Sequence, residues 1–266
     1  MLFRSDEAVD VKCFHLAYSR LAEIQLQRFV KGNRDDFKSL TSIKTTYENG
    51  LNRTAFDPDL AMTYAEFLIK IGQATETAPM LQRSLVLHSW ADQLYMPLGI
   101  AHLELGEPQN AIHDLMLALR VKDEHSLGFA VDMSPEYRAQ VSSFLGVAYA
   151  RLKQPNEARA AFKESLRLNP ESLIPILVGY NSPRNLQLMQ EHTQDDVYNG
   201  ISIVRRDVLV ALRDAANELL AAPAPDLPSN LGEFKKLFDY EINRRDAYQK
   251  KRVEMGFKDN PDDEKN

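Results

Sequence analysis

The chain has 266 residues, is 44% hydrophobic and 26% charged, and carries a formal net charge of −6 at pH 7. Such a composition is ordinary for a globular protein and is sufficient for a large core. The acidic balance argues against a nucleic-acid-binding surface, because proteins that bind phosphate backbones carry a basic excess. Cys13 is the only cysteine, which excludes an internal disulfide and a thiolate-rich metal site.

The start of the chain does not have the pattern of a targeting segment. Asp6, Glu7, Asp10 and Lys12 interrupt the apolar core that a signal peptide requires. No window approaches the ~18 consecutive apolar residues of a membrane span. We therefore predict a cytoplasmic protein without membrane insertion. A chain from which a leader had been removed would look the same, so a periplasmic location stays open.

In chain order, the first predicted elements are two helices at 6–30 and 34–49, where apolar residues recur with helical spacing. Within the region 1–57 they are interpreted as an N-terminal cap or a degenerate repeat. Asp57 followed by Pro58 predicts the start of the next helix, because aspartate is a preferred N-cap and proline suits the first helical turn.

From residue 58 onward, small residues recur with a fixed period. Gly72 and Gly106 are 34 residues apart. Gly99 and Gly146 are 47 residues apart, which is the same period plus 13 residues. A constant period with small and large residues in register is the signature of a repeat array.

Each unit of this array is predicted to be a hairpin of two helices. In the best-kept unit, Gly146 and Ala158 present no bulk, so two helices can approach closely there. Tyr149 and Phe162 fill the space beside that contact, and Pro170 ends the second helix.

Helix-breaking residues mark the ends of these predicted helices. Gly72 and Gly106 occupy positions where a left-handed C-cap is needed. Pro108 and Pro155 occupy first helical turns, and Ser134–Pro135 is a further N-cap followed by proline. We therefore expect an all-α fold, a right-handed solenoid of at least three helical hairpins with flanking capping helices.

These spacings resemble the tetratricopeptide repeat family, whose units are helical hairpins of 34 residues. The three units span 58–91, 92–125 and 139–172, and the third is the best match. Three positions depart from the family pattern, with Ser142 in place of an aromatic residue, His102 in place of a tyrosine and Asp123 in place of a proline. The matching residues are Tyr64, Ala65, Leu81 and Ser84, then Tyr95, Leu98, Gly99, Ala111 and Ala118, then Leu145, Gly146, Tyr149, Ala158, Phe162 and Pro170.

An insertion, 126–138, separates the second unit from the third and accounts for the 13 additional residues. It is predicted to divide into a loop and one added helical turn, with Phe129 and Met133 as the apolar members of the loop. A loop at this position lies between adjacent repeats and can face a ligand.

The rest of the chain is predicted to be helical as well. Region 173–221 contains further helices and could form a degenerate repeat, and 222–230 is a proline-rich linker. Region 231–266 is predicted to be an amphipathic helix followed by a charged tail. Terminal helices of this kind are expected as caps of a repeat array.

The resemblance implies a binding surface, because tetratricopeptide arrays usually bind partners along the concave side lined by the first helix of each unit. By register this groove is mostly apolar, and its two methionines adapt to varied apolar ligands. It lacks the clustered lysine and asparagine residues with which some family members hold a C-terminal carboxylate. The predicted groove residues are Met62, Glu66 and Ile69, then Gln93, Met96, Ile100 and Leu103, then Gln140, Ser143, Val147 and Arg151.

We therefore expect a non-enzymatic scaffold or adaptor, chaperone-like, that binds an apolar peptide or amphipathic helix in this groove. Family analogy extends this to the assembly of a larger complex such as secretion or pilus machinery. An alternative is homo-oligomerisation, in which the chain's own or a neighbour's terminal helix fills the groove. A third is the regulatory domain of an enzyme, with chemistry near Asn181, His192, Asp195 and Asp196.

No catalytic residue, metal site or cofactor is predicted. His102 and Glu104 are two residues apart and point to different faces of a helix, and the other histidines show no recurrent metal-ligand spacing. The chain has no glycine-rich phosphate loop and no Gly-x-Ser-x-Gly nucleophile elbow.

Overall fold

The computed structural model describes residues 5–31, 37–120, 134–178, 204–222 and 224–256, and in these ranges it contains helices and short connections but no strand. The predicted all-α fold of helical hairpins is confirmed. Short 3₁₀ turns precede α5 (Asp92–Leu94) and α9 (Pro170–Leu173). The helices are α1 (Ser5–Lys31), α2 (Phe37–Arg53), α3 (Pro58–Lys70), α4 (Ala74–Leu87), α5 (Tyr95–Glu104), α6 (Pro108–Arg120), α7 (Pro135–Arg151), α8 (Pro155–Leu168), α9 (Ile174–Val178), α10 (Arg206–Ala221) and α11 (Leu231–Glu254).

Some sequence predictions fall outside the described residues. They concern the loop of the insertion with Phe129 and Met133, the charged tail after residue 256, and the polar residues of the enzyme alternative. The last group comprises Asn181, His192, Asp195 and Asp196.

The chain divides into two compact units, with the boundary between Gly106 and Glu107. The first unit contains α1 to α5, and the second contains α6 to α11. The second predicted repeat, 92–125, therefore has its first helix in one unit and its second helix in the other. The domain boundaries derived from sequence stay predictions.

In the first unit, α1, α3 and α5 are first helices of hairpins, and α3 contacts both α1 and α5. The second helix α2 packs against α1 and α3, and α4 packs against α3 and α5. This is the neighbour pattern expected for stacked helical hairpins. Tyr47 and Tyr64 stack in the core with ring centroids 4.8 Å apart. Other buried residues of this core are Ile43, Leu51, Leu60, Leu68, Leu81, Leu94 and Leu98.

In the second unit, α7 packs against α6 and α8, and α10 packs against α7, α8 and α11. Helices α10 and α11 thus form one more hairpin after the third predicted repeat. The proline-rich stretch 222–230 connects the two helices of that hairpin. The large buried residues of this core are Phe162, Leu166, Leu173, Leu177, Leu209, Leu212, Phe238 and Ile242.

The predicted N-caps are present at α3 and α7. Asp57 Oδ1 accepts hydrogen bonds from the backbone N–H groups of Asp59 and Leu60, both at 3.1 Å. Ser134 Oγ accepts one from the backbone N–H of Tyr137 at 3.2 Å. Each helix then begins at the following proline, so the cap chemistry readable in the sequence sets both helix starts.

The predicted left-handed caps are also present, at Gly72 with φ 75° and Gly106 with φ 76°. Lys153 lies 47 residues after Gly106, at the equivalent position between α7 and α8. It has φ 57°, a conformation that side chains with a Cβ disfavour. The turn between α7 and α8 therefore has a residue with positive φ, as the turns at Gly72 and Gly106 do, but here the residue is Lys153, whose Cβ makes this conformation strained.

Replacing Lys153 with glycine is expected to stabilise the protein by about 1 kcal/mol, because glycine has no Cβ to oppose a positive φ. Urea denaturation followed by circular dichroism measures this change. The matched control is Gly72→Ala. A Cβ at Gly72 has no atom within 4 Å, so its expected loss of about 1 kcal/mol comes from the backbone alone. A lower stability of Lys153→Gly would contradict the assignment of strain.

The close approach predicted at Gly146 is confirmed. A Cβ placed on Gly146 would lie 2.4 Å from Cε1 of Phe162, well inside van der Waals contact. The Phe162 ring is fully buried, so it has little room to move away. Gly146 is therefore required by the distance between α7 and α8.

Glu241 is a buried charge on α11, with its side chain 2% exposed. Arg244 donates to it through Nε and Nη2, both at 2.8 Å, and Arg245 donates through Nε at 2.7 Å. Burial alone would raise the pKa of Glu241, but the hydrogen bonds and charges of the two guanidinium groups outweigh burial and lower it. The paired arginines thus let the carboxylate stay ionised.

None of the described helices has both the length and the apolar character needed to cross a membrane.

Candidate functional site

The predicted groove residues of the first unit lie on α3, on α5 and on the turn before α5. Met62 and Met96 are half-buried, Gln93 is half-buried, and Glu66 is exposed. Because α3 contacts α5, the two methionines lie on neighbouring first helices of one unit. They are the apolar residues of the predicted set that a partner of this unit can reach.

The structure places three other predicted groove residues of this unit out of reach of a ligand. Ile69 is 1% exposed, Ile100 is 4% exposed and Leu103 is 2% exposed. All residues from Pro97 to Leu103 are buried, so α5 has no exposed face over this stretch. When the residues on every face of a helix are apolar, helical periodicity cannot show which face lies toward a binding groove.

In the second unit, Gln140, Val147 and Arg151 on α7 are half-buried. Ser143 is fully buried, and its hydroxyl donates to the carbonyl oxygen of Gln140 at 2.6 Å. It also lies 3.4 Å from the carbonyl oxygen of Ser172. The hydrogen-bonding capacity of the Ser143 hydroxyl is therefore satisfied inside the protein. The predicted groove residues of α7 that a partner can reach are Gln140, Val147 and Arg151.

Two carboxylates, Glu23 on α1 and Glu66 on α3, act electrostatically on Tyr47. Glu66 is exposed and pairs with Lys70, whose Nζ lies 3.4 Å from Oε2 of Glu66. Burial, followed by the charges of Glu66 and Glu23, raises the pKa of Tyr47 to about 12. Tyr47 therefore remains a neutral phenol throughout the physiological pH range.

Sequence reasoning did not find a pocket of 160 Å³ in the first unit, which lies between α2, α3 and α4. Each helix contributes residues spaced by three or four positions, which places them on one face of that helix. This spacing is the only feature of the sequence that points to the pocket. It does not distinguish the lining residues from any other pair of residues on the core-facing side of a helix. The lining residues are Glu48, Leu51, Asn52, Phe56, Tyr64, Leu68, Glu76 and Met80.

Two carboxylates give this pocket its electrostatic character. The Tyr64 hydroxyl donates to Oε1 of Glu48 at 3.2 Å. Lys44 Nζ lies 2.9 Å from both carboxylate oxygens of Glu76. Burial, the charge of Glu48, its hydrogen bond and the charge of Glu76 together raise the pKa of Tyr64 far above its usual range. The phenol therefore acts as a permanent donor to Glu48.

The loop that forms one wall of the pocket has a strained backbone. Ala55 has φ 50° and Phe56 has φ 60°, both unusual for residues other than glycine. Ser84 Oγ donates to the carbonyl oxygen of Phe56 at 2.7 Å, and a ring nitrogen of His88 lies 2.9 Å from the carbonyl oxygen of Ala55. The Arg83 guanidinium lies 4.0 Å from the centre of the Phe56 ring. Helix α4 thus holds this wall in place, and strain of this kind is concentrated at binding sites.

One cluster in the described residues has the composition of a metal site. His15, Asp57 and Asp59 bring ligand atoms within 4.8 Å of one another. No spacing in the sequence predicts this cluster, since His15 and Asp57 are far apart along the chain. Asp57 already accepts two backbone N–H groups at the start of α3, and the positive end of a helix dipole opposes a cation. Helix capping therefore explains the position of Asp57 at the start of α3.

A profile of the tetratricopeptide repeat family matches residues 139–172. The matched range has the same bounds as the third predicted unit and covers most of α7, all of α8 and most of the 3₁₀ turn that follows. The chain therefore contains a tetratricopeptide repeat, and the predicted resemblance is confirmed. Repeats of this family act in general as non-enzymatic modules of protein–protein interaction. No curated protein matches the chain.

Proposed function

We propose that this protein is a non-enzymatic interaction scaffold that binds an apolar or amphipathic segment of a partner protein on the first helices of its hairpins. In the first unit, Met62 and Met96 supply apolar contact and Glu66 sets orientation. In the second unit, Val147 supplies apolar contact, with Gln140 and Arg151 beside it. Assembly of a larger complex, such as secretion or pilus machinery, is a role that such a scaffold can serve.

The observation that carries this proposal is the pair of accessible methionines on α3 and α5. Both are half-buried, and Met62 packs in part against the core of the first unit. They lie on adjacent first helices in a fold whose repeats generally bind proteins. Methionine side chains are flexible and polarisable, so they fit apolar segments of varied shape. An amphipathic helix laid across two such helices would bury its apolar face against them.

Replacing both Met62 and Met96 with glutamate is expected to weaken partner retention at least about 10-fold, because two charges would have to be desolvated on binding. The measurement is a pull-down from extract of the source cells with quantitative mass spectrometry. The matched control is Met116→Glu on α6, where the methionine is 37% exposed. Circular dichroism establishes that all variants are folded. Equal retention by the double variant and the wild type would show that this surface is not used.

The homo-oligomer alternative requires an apolar face on α11 that can dock into a neighbour. Leu231, Leu237, Phe238 and Ile242 are that face, and all four are buried in the core of the second unit. Their burial favours a scaffold over self-assembly through α11. The alternative predicts that deletion of 229–266 reduces oligomer size in light scattering, whereas the scaffold predicts no change of this kind.

A further inference from the structure

The pocket between α2, α3 and α4 is separate from the Met62 and Met96 surface. Its lining includes the second helices α2 and α4, whereas the two methionines belong to first helices. None of the proposed groove residues lines it. A ligand of this pocket would therefore be recognised independently of the proposed function.

The walls of the pocket combine an apolar region with an acidic one. Met80 supplies aliphatic surface and Phe56 an aromatic ring, and both are half-buried, whereas the other apolar lining residues, Leu51, Leu68 and Tyr64, are buried. Glu48, Asn52 and Glu76 supply oxygen atoms that accept hydrogen bonds. This combination suits a ligand with an apolar stem and a cationic end.

The two carboxylates differ in how far they are neutralised. Glu76 is paired with Lys44. Glu48 is exposed and accepts a hydrogen bond from the neutral phenol of Tyr64. Among the residues that the structure describes, no cationic side chain forms a salt bridge with Glu48. The carboxylate of Glu48 is therefore the charge in this pocket that an incoming cation can complement.

The size of the pocket limits the occupant to one side chain. Its volume is 160 Å³, about that of a cavity known to hold one benzene molecule. The four-carbon stem of lysine, or the stem of arginine, fits a space of this size beside the Met80 side chain.

Exposed apolar residues lie beyond the pocket wall, at the end of α4. Val86 is 82% exposed, Leu87 is 54% exposed and Trp90 is 60% exposed. Trp90 contacts His88 edge to face, and His88 in turn binds the backbone beside Phe56. A polypeptide that places a side chain in the pocket can cover these residues, whereas a free small amine cannot.

We propose that this pocket binds the side chain of a lysine or arginine from a partner polypeptide. The aliphatic stem lies against Met80 and Phe56, and the cationic end pairs with Glu48. The apolar residues that flank the basic residue in the partner cover Trp90 and its neighbours. The site gives the protein a second point of contact with its partners, with a specificity different from that of the methionine surface.

The test uses the full chain labelled with ¹³C at the methionine methyl groups. Acetyl-Leu-Lys-Leu-amide is titrated and compared with acetyl-Leu-norleucine-Leu-amide, which keeps the stem and lacks the charge, and with n-butylammonium chloride. The lysine peptide is expected to shift the Met80 signal with a Kd of about 1–10 mM, as befits a single anchoring side chain. The Met62 and Met96 signals are expected to stay in place.

Both the norleucine peptide and n-butylammonium are expected to bind about 10-fold more weakly than the lysine peptide, since each lacks one part of the interaction. Glu48→Gln keeps the acceptor for Tyr64 and removes the charge, and it is expected to weaken the lysine peptide about 10-fold. Glu23→Gln removes a carboxylate charge from α1 at a position that does not line the pocket, and it should leave binding of the lysine peptide unchanged.

Equal binding of the lysine and norleucine peptides would overturn the role of the cation. Equal binding of n-butylammonium and the lysine peptide would overturn the assignment to a polypeptide. Unchanged binding by Glu48→Gln, or no shift of Met80 with any ligand, would overturn the site itself. A shift of Met62 or Met96 instead of Met80 would also overturn it while supporting the proposed function, so failure of one proposal is distinguishable from failure of the other.

Discussion

Replacing Phe238 with alanine is expected to destabilise the second unit by about 3–5 kcal/mol, the range for removal of a buried aromatic side chain. The Phe238 side chain is fully buried in the core of that unit, although it lies on the last described helix, α11. Its ring lies 6.3 Å from that of Phe234, measured between centroids. Urea denaturation followed by circular dichroism measures the loss.

Tyr248→Ala is the matched control, because it removes an aromatic side chain from the same helix at a position 64% exposed. Its stability is expected to stay within about 0.5 kcal/mol of the wild type. Hydrogen exchange of α10 supplies a local readout, since α10 packs against α11. Faster exchange in α10 for Phe238→Ala alone is the expected pattern. Equal stability of the two variants would mean that α11 is not part of the core.

The same packing affects the deletion of residues 229–266. Removal of this segment takes Leu231, Leu237, Phe238 and Ile242 out of the core. We therefore expect α10 to be left with an uncovered apolar face, and an uncovered face of this kind promotes association. An increase in particle size after the deletion would be a consequence of that exposure and would not support the homo-oligomer alternative.

Gly146→Ala is expected to destabilise the protein by about 1–2 kcal/mol, even though alanine favours helix formation by about 1 kcal/mol over glycine. The added methyl group would lie 2.4–2.7 Å from three atoms of the Phe162 ring. That ring is fully buried in a close-packed core. Steric overlap therefore exceeds the gain in helix propensity, and thermal and urea denaturation both report the net change.

Two further variants isolate this overlap. Gly232→Ala is the matched glycine control, because a Cβ at Gly232 has no atom within 4 Å, and it is expected to be neutral or stabilising by up to about 1 kcal/mol. Combining Gly146→Ala with Phe162→Leu is expected to destabilise by about 1 kcal/mol less than the sum of the single changes, since the smaller side chain leaves room for the methyl group. Strict additivity would show that the ring does not set the limit at Gly146.

Much of the local structure was predictable because its causes are local. Asp57 and Ser134 cap helices through their own side chains and the N–H groups of the next turn. Gly72 and Gly106 adopt a positive φ, as their positions at helix ends predicted. The turn at Lys153 was not predicted, because the position is recognisable only by register with the two glycines.

The candidate site was less predictable, since it depends on which side of each helix is covered. Register placed Met62 and Ile69 in the same groove, but Met62 is half-buried and Ile69 is buried. The pocket between α2, α3 and α4 was not predicted, because Glu48, Tyr64 and Glu76 come from three helices and no spacing connects them. Only their packing brings these residues to one cavity.

Sequence patterns alone predict the helical hairpins and the tetratricopeptide repeat at 139–172, because capping, helical periodicity and small-residue spacing act over a few turns of chain. Tertiary structure decided that α10 and α11 form a further hairpin. It also decided which predicted groove residues remain accessible and that an acidic pocket lies between α2, α3 and α4. The reason is physical, since burial and charge pairing depend on neighbours that are distant in sequence.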